Sequence, residues 1–160
     1  MLQVTILCVG KLKERFFSDA SAEYIKRLGA YCRTEVVELP EAKRPRDPSP
    51  AETAAAVLKE GDALLARLPK GALTVALCVE GKEIASEDVA GLLKKAASSG
   101  AGKLCFVIGG SDGLDARVKQ AADERISMSR MTFPHHLARV MLLEQVYRGF
   151  KIEEGSRYHK

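Results

Sequence analysis

The chain has 160 residues, of which 46% are hydrophobic, and its formal net charge is +4. A chain of this length fits one domain that buries roughly 70% of its unfolded surface, so folding requires neither a metal nor disulfide bonds. No apolar run approaches the roughly 18 residues that span a bilayer, and the apolar N-terminus lacks the basic leader of a signal peptide. We therefore expect a soluble, cytoplasmic protein and no membrane partner.

Strands and helices are predicted in alternation along the first half of the chain. An apolar run at 3–9 predicts a strand, and helical spacing at 18–28 predicts a helix that a glycine ends. A strand at 35–39 leads into a proline-rich loop. The residues Ser-Pro-Ala-Glu at 49–52 offer an N-cap serine, a proline at the first helical position and a glutamate three residues after the cap. They predict a helix that runs to about Leu68.

Three strands and three helices are predicted in the second half. Ser86 is the predicted cap of the first of these helices, and the tail at 150–160 has no periodicity. The six elements lie, in chain order, at 73–79, 87–97, 103–108, 115–124, 126–128 and 134–149.

Five continuous apolar strands separated by helices predict an α/β fold: a mainly parallel sheet with helices on both faces. The sequence has no internal repeat, low-complexity tract or linker, so residues 1–160 are expected to form a single domain. In open α/β sheets, ligands bind beyond the carboxyl ends of strands. This rule selects three positions, after Val79, after Ile108 and after Met128.

Cysteine chemistry offers no alternative site. The four cysteines, Cys8, Cys32, Cys78 and Cys105, form no C-x-x-C pair, and the three histidines supply no zinc spacing. Three of the cysteines fall inside predicted strands, which favours buried small hydrophobes. No metal site is expected.

Basic residues are clustered. The stretch 125–151 contains five basic residues and one acid, so its net charge equals that of the whole chain. Such clusters favour phosphate binding through counterion release, and the alternative is a solvated basic face. Two further clusters are Lys11, Lys13 and Arg15, and Lys43, Arg44 and Arg46.

Two segments could bind a small molecule. Glycines at 109–114 follow a predicted strand and would let a ligand touch the backbone, although the pattern is neither G-x-G-x-x-G nor a P-loop. The alternative is a structural turn. The mixed apolar and polar residues at 128–136 precede a helix that Pro134 begins, and such a stretch can surround an adenine. Its alternative is an ordinary strand-to-helix connection.

Polar residues near the C-terminus are candidates for catalysis. Glu144 and Arg148 are four residues apart on a predicted helix, so they can form an ion pair, or Arg148 can be held ready for RNA. Tyr158 and His159 suit base stacking and proton transfer, although terminal segments are often frayed.

Taken together, these segments resemble the ribosomal RNA large-subunit methyltransferase H family of the SPOUT class, and the likeness covers nearly the whole chain. The matching residues are Val9–Lys13, Val107–Leu114, Met131–His135, Arg139–Val140, Glu144–Arg148 and Tyr158–Lys160. Members of this family methylate N3 of a pseudouridine in large-subunit (23S) ribosomal RNA. The resemblance implies S-adenosylmethionine as cofactor, a homodimer with the cofactor pocket near its interface, and a C-terminal trefoil knot. Periodicity alone would have predicted an ordinary open sheet.

The resemblance also implies site residues. Because Arg148, Tyr158 and His159 are polar groups in the matching helix and tail, we expect them to act in catalysis, with His159 as base or base-orienting group, Tyr158 as a stacking or hydrogen-bonding partner and Arg148 as electrostatic support. The implied cofactor-binding residues are Leu77, Gly109, Gly110, Met128, Ser129, Arg130, Met131, Thr132 and Phe133. They fall at the three strand ends that the α/β rule selects.

Two other functions remain open from the sequence. A non-catalytic ribosome-binding or assembly factor would need only the basic clusters. A metabolite-binding regulatory protein would need only the α/β pocket. An enzyme this small has no separate RNA-binding domain, so the assembled ribosome is the expected substrate rather than naked RNA.

Overall fold

Five strands and five helices alternate in the computed structural model, which describes residues 1–160. The strands are β1 (Leu2–Val9), β2 (Cys32–Leu39), β3 (Leu73–Glu83), β4 (Lys103–Ile108) and β5 (Glu124–Ser127). The helices are α1 (Arg15–Leu28), α2 (Pro50–Arg67), α3 (Ser86–Ser98), α4 (Ala116–Ala121) and α5 (His135–Glu153). None of these helices combines the length and the hydropathy that a membrane span requires.

All five strands form one parallel sheet in the order β2-β1-β4-β3-β5, which confirms the predicted fold class. Successive residues of β4 point to opposite faces, as the pleat of a strand requires. Phe106 packs in a core with α1, α3 and α5, and Val107 packs in a second core with α2 and α4. Both faces of the sheet are therefore covered, which explains why the central strands β1 and β4 are largely apolar and buried, whereas the edge strand β2 carries Arg33, Glu35 and Glu38.

Helix starts were predicted with mixed success. The capping box of α2 is confirmed, since Ser49 Oγ accepts from the Glu52 backbone N–H at 3.1 Å and the Glu52 carboxylate accepts from Ser49 N–H at 3.1 Å. The predicted cap Ser86 is wrong. Ala85 occupies the N-cap position of α3, and its N–H donates to Asp88. The Ser86 hydroxyl instead donates to Gln145 of α5 at 2.7 Å.

Element boundaries differ from the prediction where tertiary contacts decide them. Helix α4 ends early because Asp123 holds the chain to β3, its carboxylate accepting from Thr74 N–H at 2.7 Å. Strand β3 runs on to Glu83 because it resumes pairing with β5 after an irregularity. Helix α5 continues to Glu153, where the sequence predicted none, and Phe150 stacks on Tyr31 with ring centroids 5.3 Å apart.

Arg139 of α5 is buried, with only 2% of its side chain exposed, although its sequence pattern placed it among the polar positions. Its Nη1 lies 2.6 Å from Glu38 Oε2, and its Nη2 donates to the Gly10 carbonyl at 2.9 Å. Gly10 has a φ of +89°, a conformation that favours glycine. The guanidinium thus anchors α5 to the carboxyl ends of β1 and β2.

Removing the partner of this guanidinium should destabilise the protein. Glu38→Ala leaves a buried charge without its carboxylate, so we expect a loss of about 3 kcal/mol in the free energy of unfolding. That value is the low end for such pairs, because Glu38 is one-third exposed and water can reach the vacated space. Urea unfolding followed by circular dichroism measures the change.

Glu35→Ala is the matched control, since Glu35 is an exposed residue of the same strand. We expect it to cost less than about 1 kcal/mol, as exposed polar contacts do. Equal losses for the two variants would show that the Arg139 pair is not an anchor.

Candidate functional site

A cavity of about 730 Å³ lies at the carboxyl ends of β3, β4 and β5. Its position follows from the strand register, because Leu77 of β3 is paired with Ile108 of β4 on one side and with Ile126 of β5 on the other. The irregular stretch of β3 that begins at Leu77 and the segments that follow β4 and β5 therefore lie at one level of the sheet. Together they enclose a single site, as the α/β rule predicts.

The cavity brings together eight of the nine residues predicted to bind a cofactor. The eight lining residues are Leu77, Gly109, Gly110, Met128, Ser129, Met131, Thr132 and Phe133. Arg130 is not among the lining residues: its side chain is 91% exposed and lies 3.8 Å from Glu83. Lys119 of α4 and His135 of α5 also line the cavity and were not predicted. No sequence motif marks Lys119, which the fold brings in from α4, whereas His135 lies at the end of the segment 128–136 that the sequence selected.

The glycine-rich turn presents its backbone to the cavity. A Cβ atom at Gly109 would lie 2.7 Å from the carbonyl carbon and oxygen of Gly113, a distance that no side chain tolerates. Gly113 has a φ of +84°, and its N–H donates to the Gly110 carbonyl at 3.1 Å. The turn therefore needs glycine for its own closure, and the absence of side chains leaves its backbone open to a ligand.

Arg44 contacts this turn through Asp112. Its side chain is 13% exposed, its Nη2 lies 3.2 Å from the buried Glu60 Oε1, and its Nε lies 2.7 Å from Asp112 Oδ2 without hydrogen-bond geometry. A second tie joins the Ser111 hydroxyl to Glu41 at 3.3 Å. Arg44, the central residue of a predicted basic cluster, is thus occupied within the chain.

Two serine hydroxyls shape the wall that follows β5. Ser127 Oγ donates to the Ser129 carbonyl at 2.9 Å, and Ser129 Oγ accepts from the Met131 N–H at 3.0 Å. These local bonds hold the segment without regular secondary structure, as short polar side chains do in turns. Half-buried Phe133 then leads to Pro134, which precedes α5.

The three predicted catalytic residues form a separate cluster. The Glu144–Arg148 ion pair is confirmed, with Arg148 Nη2 2.6 Å from Glu144 Oε1. Arg148 also lies over the Tyr158 ring, 4.8 Å from its centroid, and the Tyr158 hydroxyl donates to Glu144 at 3.2 Å. Burial, followed by the charge of Glu144, raises the pKa of Tyr158. None of Arg148, Tyr158 and His159 lines the cavity of its own chain.

His159 has both ring nitrogens engaged. Arg148 Nη1 lies 3.3 Å from its Nδ1, and Glu87 Oε1 lies 2.9 Å from its Nε2. Because a guanidinium can only donate, Nδ1 accepts and the proton resides on Nε2, which donates to Glu87. The terminal segment is thereby held against α3 and α5.

Most basic side chains of the stretch 125–151 have hydrogen-bond or ion-pair partners within the chain. Besides Arg139 and Arg148, Arg125 donates to the Lys119 and Ala122 carbonyls, and Lys151 pairs with Glu154 and Tyr31. Fewer of these side chains are therefore free for phosphates than the sequence cluster predicts.

The cysteines are all unpaired, and three of them are buried. Burial raises the pKa of Cys8 to about 11 and that of Cys105 to about 12. Cys78 is the exception, since it is partly exposed and lines the cavity. No three His, Cys, Asp or Glu side chains come together in a way that could hold a metal ion.

Comparison with known sequences gives a consistent set of matches. The family model described as "Predicted SPOUT methyltransferase" matches residues 2–159. Proteins named ribosomal RNA large subunit methyltransferase H are similar over 99% of this chain. That of Carboxydothermus hydrogenoformans is 44% identical and covered in full, and that of Pelotomaculum thermopropionicum is 46% identical and 99% covered.

Two solved structures have a similar fold. A probable methyltransferase from Bordetella pertussis superposes with a TM-score of 0.59 over 92% of this chain and 94% of its own. The tRNA (m1G37) methyltransferase of Aquifex aeolicus gives 0.55 over 92% of this chain and 69% of its own. Both are 16% identical to the chain, so they support the fold alone.

Thiol labelling should report on the cavity. Burial and, after it, the charge of Glu80 raise the pKa of Cys78, so its thiolate is scarce at neutral pH. We expect iodoacetamide to label the native protein at one position, slowly at pH 7 and faster as the pH rises towards 9. Mass spectrometry locates the label and follows its rate.

Cys78→Ser should abolish labelling of the native protein, and urea should restore it at the three remaining thiols. Rapid labelling of Cys8, Cys32 or Cys105 in the native state would contradict the burial of these side chains.

Proposed function

The chain belongs to the SPOUT methyltransferase family, and from this premise we propose that it methylates N3 of a pseudouridine in large-subunit ribosomal RNA, using S-adenosylmethionine on the assembled ribosome. The observation that carries the proposal is the convergence of three strand-end segments on one cavity. Full-length similarity to relatives named ribosomal RNA large subunit methyltransferase H supports the choice of substrate.

The cavity fits a cofactor of this kind. Its volume of about 730 Å³ lies within the roughly 300–1,000 Å³ of small-molecule sites. Gly109 and Gly110 offer bare backbone, while Leu77, Met128 and Phe133 offer apolar contact for an adenine. When bound, S-adenosylmethionine supplies an electrophilic methyl group, so the protein has mainly to position the base and help remove its N3 proton.

The Arg148 cluster supplies the groups for that proton. We assign His159 as base or base-orienting group, Tyr158 as a stacking or hydrogen-bonding partner, and Arg148 as support for developing negative charge. Because Nε2 of His159 already carries the proton that it donates to Glu87, and Nδ1 accepts from Arg148, the Arg148 contact has to be released before the ring accepts a proton.

A homodimer accounts for the separation of the cluster from the cavity. Within one chain, none of the three catalytic candidates reaches the cavity lining. We propose that the cluster of one copy faces the cavity of the other, which makes the active site a shared one. We also propose that the C-terminal part of the chain, from β4 onward, is threaded into a trefoil knot. Arg139 then fixes α5, the last helix of the knotted part, to β1 and β2.

A non-catalytic assembly factor and a metabolite-binding regulator are the rival functions. A formed cavity with a glycine-lined wall favours the methyltransferase and the regulator, which bind a ligand, over the assembly factor. Calorimetry with S-adenosylmethionine tests the assembly-factor function, because an assembly factor should bind no cofactor. The regulator should bind the cofactor without transferring a methyl group to ribosomes.

Gly109→Ala should weaken cofactor binding. Its Cβ would displace the Gly113 backbone and overpack the turn, so we expect affinity for S-adenosylmethionine to fall about tenfold or more. Calorimetry measures the affinity, and circular dichroism verifies the fold. Gly91→Ala is the matched control, because a Cβ there meets no atom within 4 Å. Unchanged affinity for Gly109→Ala would remove the glycine-rich turn from the cofactor site.

His159→Ala should slow methyl transfer. If the ring acts in proton removal, single-turnover transfer to ribosomes falls by about 10²-fold or more, with cofactor affinity unchanged. Lys160→Ala, its exposed neighbour, controls for disturbance of the tail. Mass spectrometry of ribosomal RNA from cells with and without the protein identifies the nucleotide. Transfer at the wild-type rate would exclude His159 from the mechanism.

A further inference from the structure

The β1–α1 segment carries basic side chains that the fold leaves free. Lys11 and Lys13 are exposed and lie in no ion pair, and Arg15 contacts only Asp19, at 3.7 Å with both side chains largely exposed. In the other two clusters, by contrast, Arg44, Arg139 and Arg148 are held by carboxylates, although Lys43 and Arg46 beside Arg44 are free. Exposed, unpaired ammonium groups are the ones available to replace counterions on phosphates.

These lysines lie at the same edge of the sheet as the cavity. They follow β1, whose last residue, Val9, is paired with Leu39 at the end of β2. The β2–α2 loop begins there and adds Lys43 and Arg46, which are also exposed and in no ion pair. At the carboxyl edge of the sheet, free basic side chains therefore lie beside β1 and β2, and the cavity lies beside β4, β3 and β5.

A row of four aromatic rings connects the cavity with the basic residues that follow β1. His135 lines the cavity, and its ring centroid lies 4.0 Å from that of His136. His136 is followed by Phe17 at 6.3 Å, and Phe17 by Phe16 at 4.5 Å. Both histidine rings also lie beside Gly10, where a side chain would meet them within 4 Å.

Phe16 ends the row in solvent. It is 66% exposed, and its neighbours in sequence are Glu14, Arg15 and Phe17. An exposed ring that closely follows Lys11, Lys13 and Arg15 in the sequence suits an unpaired base. Aromatic rings stack on any base, whereas lysines follow the phosphate backbone.

We propose that single-stranded RNA crosses the β1–α1 edge to reach the cavity, with Lys11 and Lys13 on its phosphates and Phe16 stacked on a base. This proposal rests on the function proposed above and specifies which surface of the chain binds the substrate. Phe17, His136 and His135 continue the path from Phe16 to the cavity wall.

Binding to purified 70S ribosomes tests the surface by co-sedimentation at several salt concentrations. For Lys11→Ala/Lys13→Ala we expect affinity to fall about tenfold at about 0.1 M salt, and the slope of log K against log salt to flatten by roughly 1.5. For Phe16→Ala we expect a loss of about tenfold with the slope unchanged, since stacking releases no counterions. Affinity for S-adenosylmethionine should stay at the wild-type value in both variants.

Lys26→Ala/Lys70→Ala is the matched control. It removes the same charge from two exposed lysines that lie in no ion pair at the opposite edge of the sheet, and it should bind ribosomes as the wild type does. If both double variants lost the same affinity for ribosomes, the loss would depend only on net charge, and the proposal would be wrong. If Phe16→Ala changes the sedimentation of the free protein and not its ribosome affinity, Phe16 contacts a second copy of the chain, and the proposal is wrong.

Failure of this surface is distinguishable from failure of the enzyme. A wild-type protein that methylates ribosomes, with variants that bind them normally, overturns only the surface. A wild-type protein that binds ribosomes without cofactor or methyl transfer overturns the proposed activity, and weaker binding by the variants would still support the surface.

Discussion

The alignment of Leu77 with Ile108 and Ile126 is the constraint on which the site depends. Parallel strands share a direction, so three chain segments that are distant in sequence reach the same edge of the sheet at the same height. The glycine-rich turn and the loop after β5 then complete a cavity. The site is thus a consequence of register more than of any one motif.

Two arginines, the buried Arg139 and the largely buried Arg44, tie the elements at that edge together. Arg44 joins the glycine-rich turn to Glu60 of α2, and Arg139 joins α5 to the ends of β1 and β2. Each lies behind the cavity rather than inside it. Charge in this protein has two roles, since some cations support the architecture and others, such as Lys11, remain free for a polyanion.

The sequence predicted the strands, the parallel sheet and the three cavity segments well, because apolar runs and glycine patterns are local signals. It could not separate buried from free arginines, since Arg139 and Arg130 look alike in a linear pattern while one is 2% and the other 91% exposed. Lys119 was missed because only the tertiary fold brings α4 to the cavity. The catalytic roles of Arg148, Tyr158 and His159 stay predictions.

The strand order also dictates how the chain can assemble. Strand β4 lies between β1 and β3, so β1 and β3 never pair with each other, and one edge of β1 stays open until residues near 108 have been synthesised. An open, apolar strand edge invites association with other chains. The glycine-rich turn, which follows β4, therefore forms only after the open edge of β1 has been closed, while the far edge of β3 stays open until β5 has been synthesised.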